Sequence, residues 1–166
     1  MSHEIFFPVP PTPNSVHAIA RINKRSELTK MNKLEVDGEC ISIGGLALSK
    51  KYRSIALARV AYVDVAYCIY NIERRRINIE RIVVIPSYRR QGIATDIVNA
   101  IAERYTPCTM QMTIDASNIE ANEWARAVDF GATKFIRGCE SSGDKVQLEF
   151  MEIRNIEKHV QKLSPE

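Results

Sequence analysis

Between Val63 and Ile72 the chain reads VDVAYCIYNI, a run dense in β-branched and aromatic residues that predicts a strand. The charged stretch Glu73–Arg76 breaks it as a turn. Ile77–Ile85 (INIERIVVI) alternates at Ile77 and Ile79, then becomes continuously apolar from Ile82. That change suits a strand passing from a half-exposed edge into a buried centre, and Pro86 ends it. From Gly92 to Tyr105 the period becomes helical: Ile93, Ala94, Ile97, Val98, Ile101 and Ala102 form one stripe, with Asp96, Asn99 and Glu103 opposite. Thr106-Pro107 stops this helix. Met110, Met112 and Ile114 alternate in a strand ending at Asp115. The capping box Ser117-Asn118-Ile119-Glu120 opens a second helix with Ala121, Trp124, Ala125 and Val128 inward, closed by Gly131. Thr133–Arg137 and Val146–Ile153 are closing strands joined by the polar loop Glu140–Asp144. The order β-β-α-β-α-β-β implies a mixed sheet with helices packed on it, an α/β (α+β) domain.

The two ends are less patterned. Pro8, Pro10, Pro11 and Pro13 make residues 1–14 an extended arm or edge segment. Val16, Ile19, Ala20 and Ile22 allow a short helix after an Asn14 or Ser15 cap. Ile41, Ile43, Leu46 and Leu48 flank Gly44-Gly45, as two short strands or as a turn ahead of a helix. Ile156, Val160 and Leu163 are spaced for a short packing helix. The expected division is an arm over 1–14, a domain over 15–154 and a helical tail over 155–166.

A chain of 166 residues with 45% hydrophobic content suits one domain with a real core. Lys plus Arg less Asp plus Glu is 23 − 20 = +3, too mild an excess to indicate nucleic acid as the primary partner. No apolar run approaches the ~20 residues that span a bilayer, so no membrane role is expected. The proline-broken start lacks the basic and apolar regions of a secretory signal, and a cytoplasmic location is expected. Cys40, Cys68, Cys108 and Cys139 stand singly, as do His3, His17 and His159, so neither a disulfide framework nor a metal site is expected.

Chemistry concentrates in Val84-Ile85-Pro86-Ser87-Tyr88-Arg89-Arg90-Gln91-Gly92-Ile93-Ala94. A buried strand runs into a short basic loop, and a Gly and an Ala open a helix. The first N–H groups of a helix have no internal partner and lie at the positive end of its dipole. Gly92 has no Cβ and Ala94 a minimal one, so a phosphate can approach the backbone. Arg89 and Arg90 add charge, and Gln91 adds a donor. The spacing alone fits a solvated basic loop as well; the strand before it and the amphipathic helix after it favour an anion cradle.

Here the sequence resembles the GCN5-related N-acetyltransferase (GNAT) superfamily. Ile79–Pro86 looks like that family's fourth strand, and Ser87–Ala94 like its R/Q-x-x-G-x-G/A pyrophosphate loop. Asn118-Ile119-Glu120-Ala121 is similar to its N-x-x-A helix start, with Gly131 near that helix's end. The resemblance spans about Val63 to Ile153. It implies a mixed, mostly antiparallel central sheet flanked by helices, opening as a V between two parallel strands. It also implies acetyl-CoA, or another short acyl-CoA, as co-substrate and an amine-bearing small molecule or protein as acceptor. Homodimers are common in the family.

By the resemblance, a bulge in the fourth strand frees the N–H of Val84 to bind the thioester carbonyl as an oxyanion stabiliser. The N–H groups of Gln91, Gly92, Ile93 and Ala94, with Arg89, Arg90 and Asn118 nearby, would hold the cofactor. Glu80, four residues before Val84 on the same strand, is the candidate base, pointing to the same face unless the bulge intervenes. An equal alternative pairs Glu80 with Arg81 or a turn arginine. Asp115 is a weaker candidate. The family's usual Tyr general acid falls at Ala125, beside Trp124; Tyr67, Tyr70 and Tyr88 could substitute. Two rivals stand beside the N-acyltransferase. One is a catalytically inactive acyl-CoA-binding or protein-interaction module, suggested by Ala125. The other is a nucleic-acid-associated protein, suggested by Arg74-Arg75-Arg76 and a pI near 8.7.

Overall fold

The computed structural model describes residues 3–8, 13–26, 33–36, 39–42, 53–105, 109–128, 130–136 and 144–150. Strand β1 (Glu4–Phe6) precedes helix α1 (Pro13–Arg25), and β2 (Lys33–Val36) and β3 (Glu39–Ser42) form a small hairpin. Then follow β4 (Arg53–Val60), β5 (Val63–Glu73), β6 (Arg76–Val84), α2 (Ile93–Tyr105), β7 (Thr109–Asp115), α3 (Ile119–Ala127), β8 (Phe130–Ile136) and β9 (Lys145–Phe150). Seven strands form one sheet in the order β1-β4-β5-β6-β7-β9-β8. Among the described residues, only β6 and β7 pair in parallel; every other neighbouring pair of this sheet is antiparallel. The expected order from Val63 onward is the observed one.

The helices take opposite faces, and β5 shows how. Tyr67 and Tyr70 lie three residues apart, so a strand's twofold alternation sends them to opposite sides. Tyr67 donates its hydroxyl proton to Asn23 Oδ1 on α1 at 2.6 Å, and the Tyr70 hydroxyl meets that of Tyr105 on α2 at 3.0 Å. Ile19 and Ile22 of α1, and Ile97, Val98 and Ile101 of α2, are fully buried against the sheet. With both faces covered, β4 and β5 need not alternate. Ile55, Ala56, Leu57 and Ala58 are all buried, which is why β4 escapes a search for alternation.

Several expected boundaries move. Helix α1 begins at Pro13, since proline fits the first helical position, where no N–H bond is lost. The proline-rich arm holds the edge strand β1, which pairs with β4. Helix α3 is capped by Asn118 rather than Ser117. It ends at Ala127 with Val128 as its C-cap, so Gly131 lies within β8 and does not close the helix. Of the segment around Gly44-Gly45, Ile41 lies in β3 while Ile43 to Leu48 fall outside the described residues, as does the expected tail helix. No helix among the described residues is long and apolar enough to cross a membrane.

The β5–β6 turn strains its own backbone. Arg74 and Arg75 connect the paired Glu73 and Arg76, and both have positive φ, 48° and 65°. A two-residue hairpin loop needs those signs to match strand twist, and Asn-Gly supplies them with least strain. Replacing the pair together (Arg74→Asn with Arg75→Gly) should raise the unfolding free energy by about 1 kcal/mol in urea titration. An unchanged or lower midpoint would show that the arginine side chains compensate the turn.

Candidate active site

The site is built where β6 parts from β7. The two pair from Arg76↔Thr109 to Ile79↔Met112 and no further; beyond that, β7 pairs with β9 on its other side while β6 runs on to Val84. The register between β5 and β6 shifts at the same place: Tyr70 faces Ile79, whereas Ile69 faces Arg81. Glu80 is therefore the extra residue of a bulge, which bends a strand and increases its twist. The bulge swings the end of β6 away from β7. A V-shaped fork results.

The bulge of this strand lies at Glu80, and the Val84 amide faces the opening. Ile85 N–H donates to the Val65 carbonyl at 2.9 Å, so Ile85 is a hydrogen-bonded position of the antiparallel ladder. Positions alternate along such a ladder. The N–H and C=O of Val84, and of Ile82, consequently point away from β5, toward the side that β7 has vacated. Arg89 reaches back to that side and donates through Nε to the Val84 carbonyl at 3.0 Å.

The bulge does intervene between Glu80 and Val84, so the two do not share a face. Val84 faces Ala66 and shares the α2 side with Cys68 and Tyr70, whereas Glu80 points to the α1 side beside Asn71. Arg53 Nε and Nη2 donate to the two Glu80 carboxylate oxygens at 2.6 and 2.9 Å. The partner is thus a β4 arginine rather than Arg81 or a turn arginine. Arg53's side chain is only 8% exposed and Glu80's 22%. Sequence reading missed Arg53, Asn71, Asn78 and Gln111. They form one row only once the strand registers are known (Arg53↔Asn71, Asn71↔Asn78, Asn78↔Gln111).

Past Val84, Pro86–Tyr88 makes one 3-10 turn, with Tyr88 N–H donating to the Ile85 carbonyl. Arg90 and Gly92 then take positive φ, 61° and 78°, and turn the chain into α2. Asp96 N–H donates to the Gly92 carbonyl at 2.9 Å, closing the first helical turn on Gly92. The amides of Ile93, Ala94 and Thr95 precede any intrahelical acceptor. A Cβ added to Gly92 would meet nothing within 4 Å, so the space beside Gly92 is open. Arg89, Arg90, Gln91 and Gly92 are exposed. Open amides at a helix start, two arginines and a positive-φ glycine fit a diphosphate.

Behind the cradle, Trp124 Nε1 donates to Thr95 Oγ1 at 3.3 Å and joins α3 to the first turn of α2. Asn118 Oδ1 accepts from Ala121 N–H at 3.2 Å, so its side chain caps α3. Ala125 is fully buried. Burial raises the Tyr67 hydroxyl above its ordinary range, with Arg81 pulling the other way, and burial followed by the Tyr105 contact raises Tyr70. Both stay protonated, and both are shut in by protein. Tyr88 is half-buried in the 3-10 turn, and Arg74, Arg75 and Arg76 are exposed at the far end of β6. Burial raises the Cys68 thiol, with the Glu80 charge adding to it. Among the described residues, no three His, Cys, Asp or Glu side chains cluster as metal ligands.

Residues 59–130, from the end of β4 through the fork and cradle to the start of β8, match the acetyltransferase (GNAT) family model, which bears out the resemblance read from the sequence. Among solved structures, the chain is similar to the ribosomal-protein-S18-alanine N-acetyltransferase from Escherichia coli. The TM-score is 0.68 at 15% identity, over 90% of this chain and 93% of that one. It is similar also to yncA from Salmonella typhimurium, solved with its cofactor acetyl-CoA, with TM-score 0.64 at 13% identity over 90% and 93%. No curated protein matches the sequence.

The Asn118 cap yields a direct test. Asn118→Ala should cost about 1 kcal/mol of stability in urea unfolding, and Asn118→Ser should recover most of it. Equal loss in both variants would show that the cap bond carries little of Asn118's contribution.

Proposed function

We propose that the protein is an N-acyltransferase that moves an acetyl or other short acyl group from acyl-CoA to an amine by direct attack. The observation that carries this reading is the conjunction of the β6–β7 fork with the exposed Gly92 and the free first-turn amides of Ile93, Ala94 and Thr95 in the segment that follows β6. The family match over 59–130 supports acyl-CoA as donor, as do the similar folds solved with acetyl-CoA.

The chain's own groups then have defined tasks. Gln91, Gly92, Ile93 and Ala94 offer backbone N–H groups to the diphosphate, and Arg89 and Arg90 offset its charge. Val84 N–H, turned into the fork, donates to the acyl carbonyl oxygen and stabilises the negative charge that grows there. Glu80, at the root of the fork, takes the proton from the attacking amine. Bound acyl-CoA supplies a thioester whose C–S bond breaks as the N–C bond forms, the leaving thiolate taking a proton from solvent. Asn118 serves the cofactor site through α3, whose Trp124 holds Thr95.

A second reading, an acyl-CoA-binding module without turnover, is favoured by Ala125, which puts a buried methyl where the family carries a tyrosine. One experiment addresses both. Wild-type protein should bind acetyl-CoA in calorimetry and release CoA thiol with at least one amine of a panel. Gly92→Glu, which sets a carboxylate in the open space beside Gly92, should weaken binding about 100-fold or more. Normal affinity in Gly92→Glu would remove the cradle assignment; tight binding without thiol release would favour the inactive module.

A further inference from the structure

Glu80 terminates a line of hydrogen bonds that crosses the sheet. Gln111 on β7 donates through Nε2 to Asn78 Oδ1 on β6. Asn78 Nδ2 donates to Asn71 Oδ1 on β5 at 2.9 Å, and Asn71 Nδ2 donates to Glu80 Oε1 at 3.1 Å. Arg53 on β4 closes the line from the other side with its two bonds to the same carboxylate. The strand registers place Arg53, Asn71, Asn78 and Gln111 in one row on one face. Glu80 joins that row because the bulge turns it and Arg81 to the same side. Asn78 and Asn71 each donate toward Glu80 and accept from the residue behind, and Gln111 donates in the same sense, so the dipoles align and each bond polarises the next.

We infer that this relay is a positioning device for proton transfer. Arg53, Asn71, Asn78 and Gln111 fix the orientation of the Glu80 carboxylate at the root of the fork, where it takes the amine's proton. The Gln111–Asn78 bond spans the parallel pair one position before it parts. The setting of the base is thereby tied to the closed end of the fork, and with it to where the acyl carbon lies. The inference rests on the reading of Glu80 as base. It adds that Gln111 and Asn78, which do not touch Glu80 in the line, act through it.

A purely structural row and a positioning relay differ in how their losses combine. Turnover is read as CoA thiol release with the best acceptor from a panel of free-N-terminus peptides, lysine peptides, spermidine and an aminoglycoside. Glu80→Gln should lower kcat about 100-fold or more. Gln111→Leu and, as a second variant, Asn71→Leu should each lower kcat about 10-fold or more, with the acetyl-CoA dissociation constant unchanged within about twofold. In the Glu80→Gln background, either relay change should cost nothing further. Losses that multiply in the double variants, or full kcat in Gln111→Leu and Asn71→Leu, overturn the relay while leaving Glu80 as base. No thiol release by wild-type protein, or full kcat in Glu80→Gln, overturns the base reading and the relay together.

Discussion

The molecule depends on two parallel strands that cannot stay paired. Beyond Ile79 and Met112, β6 and β7 diverge, and the residue that divides them is the unmatched Glu80. In the sheet interior an unpaired strand edge leaves amides and carbonyls without partners, a cost that structures ordinarily avoid. Here the exposed edge includes Ile82 and Val84, and Arg89 covers part of it by bonding the Val84 carbonyl. The same divergence that costs ladder bonds yields a slot with a donor pointing into it.

What holds the fork open is packing on both faces. Helix α1 fixes β5 through the buried Tyr67–Asn23 contact, and α2 fixes it from the other side through Tyr70 and Tyr105. Helix α2 has a second duty in the proposed function, where its first turn receives the diphosphate. Its stripe of Ile93, Ile97, Val98 and Ile101 seats it on the sheet, so the direction of the free amides is set by the core. A binding loop anchored in this way needs little reorganisation when an anion arrives.

The strands and helices after Val63 were legible because periodicity reports burial on one side. Ile77 and Ile79 alternate, and the stripe from Ile93 to Ala102 repeats as a helix does. β4 was not legible, since its Ile55-Ala56-Leu57-Ala58 run is buried on both faces and shows no period. The cradle could be read because strand, basic loop, Gly92 and helix are contiguous in sequence. The Arg53–Asn71–Asn78–Gln111 row could not, for its members lie on four strands and meet only through register. The face of Glu80 stayed open for a related reason: one extra residue reverses the alternation, and ERIVV does not fix where the expected bulge falls. Likewise the cap of α3 shifted from Ser117 to Asn118, two residue types that cap almost equally well.

The proposed function requires the open edge of β6 and the start of α2 to grip one ligand. Amide chemical-shift titration of isotopically labelled protein tests it most directly. CoA should shift the amides of Gln91, Gly92, Ile93 and Ala94, and acetyl-CoA should shift these and additionally Val84, whose N–H alone would meet the acyl oxygen. Val84 resonances that respond identically to both ligands, or perturbations confined to other parts of the sheet, would contradict it.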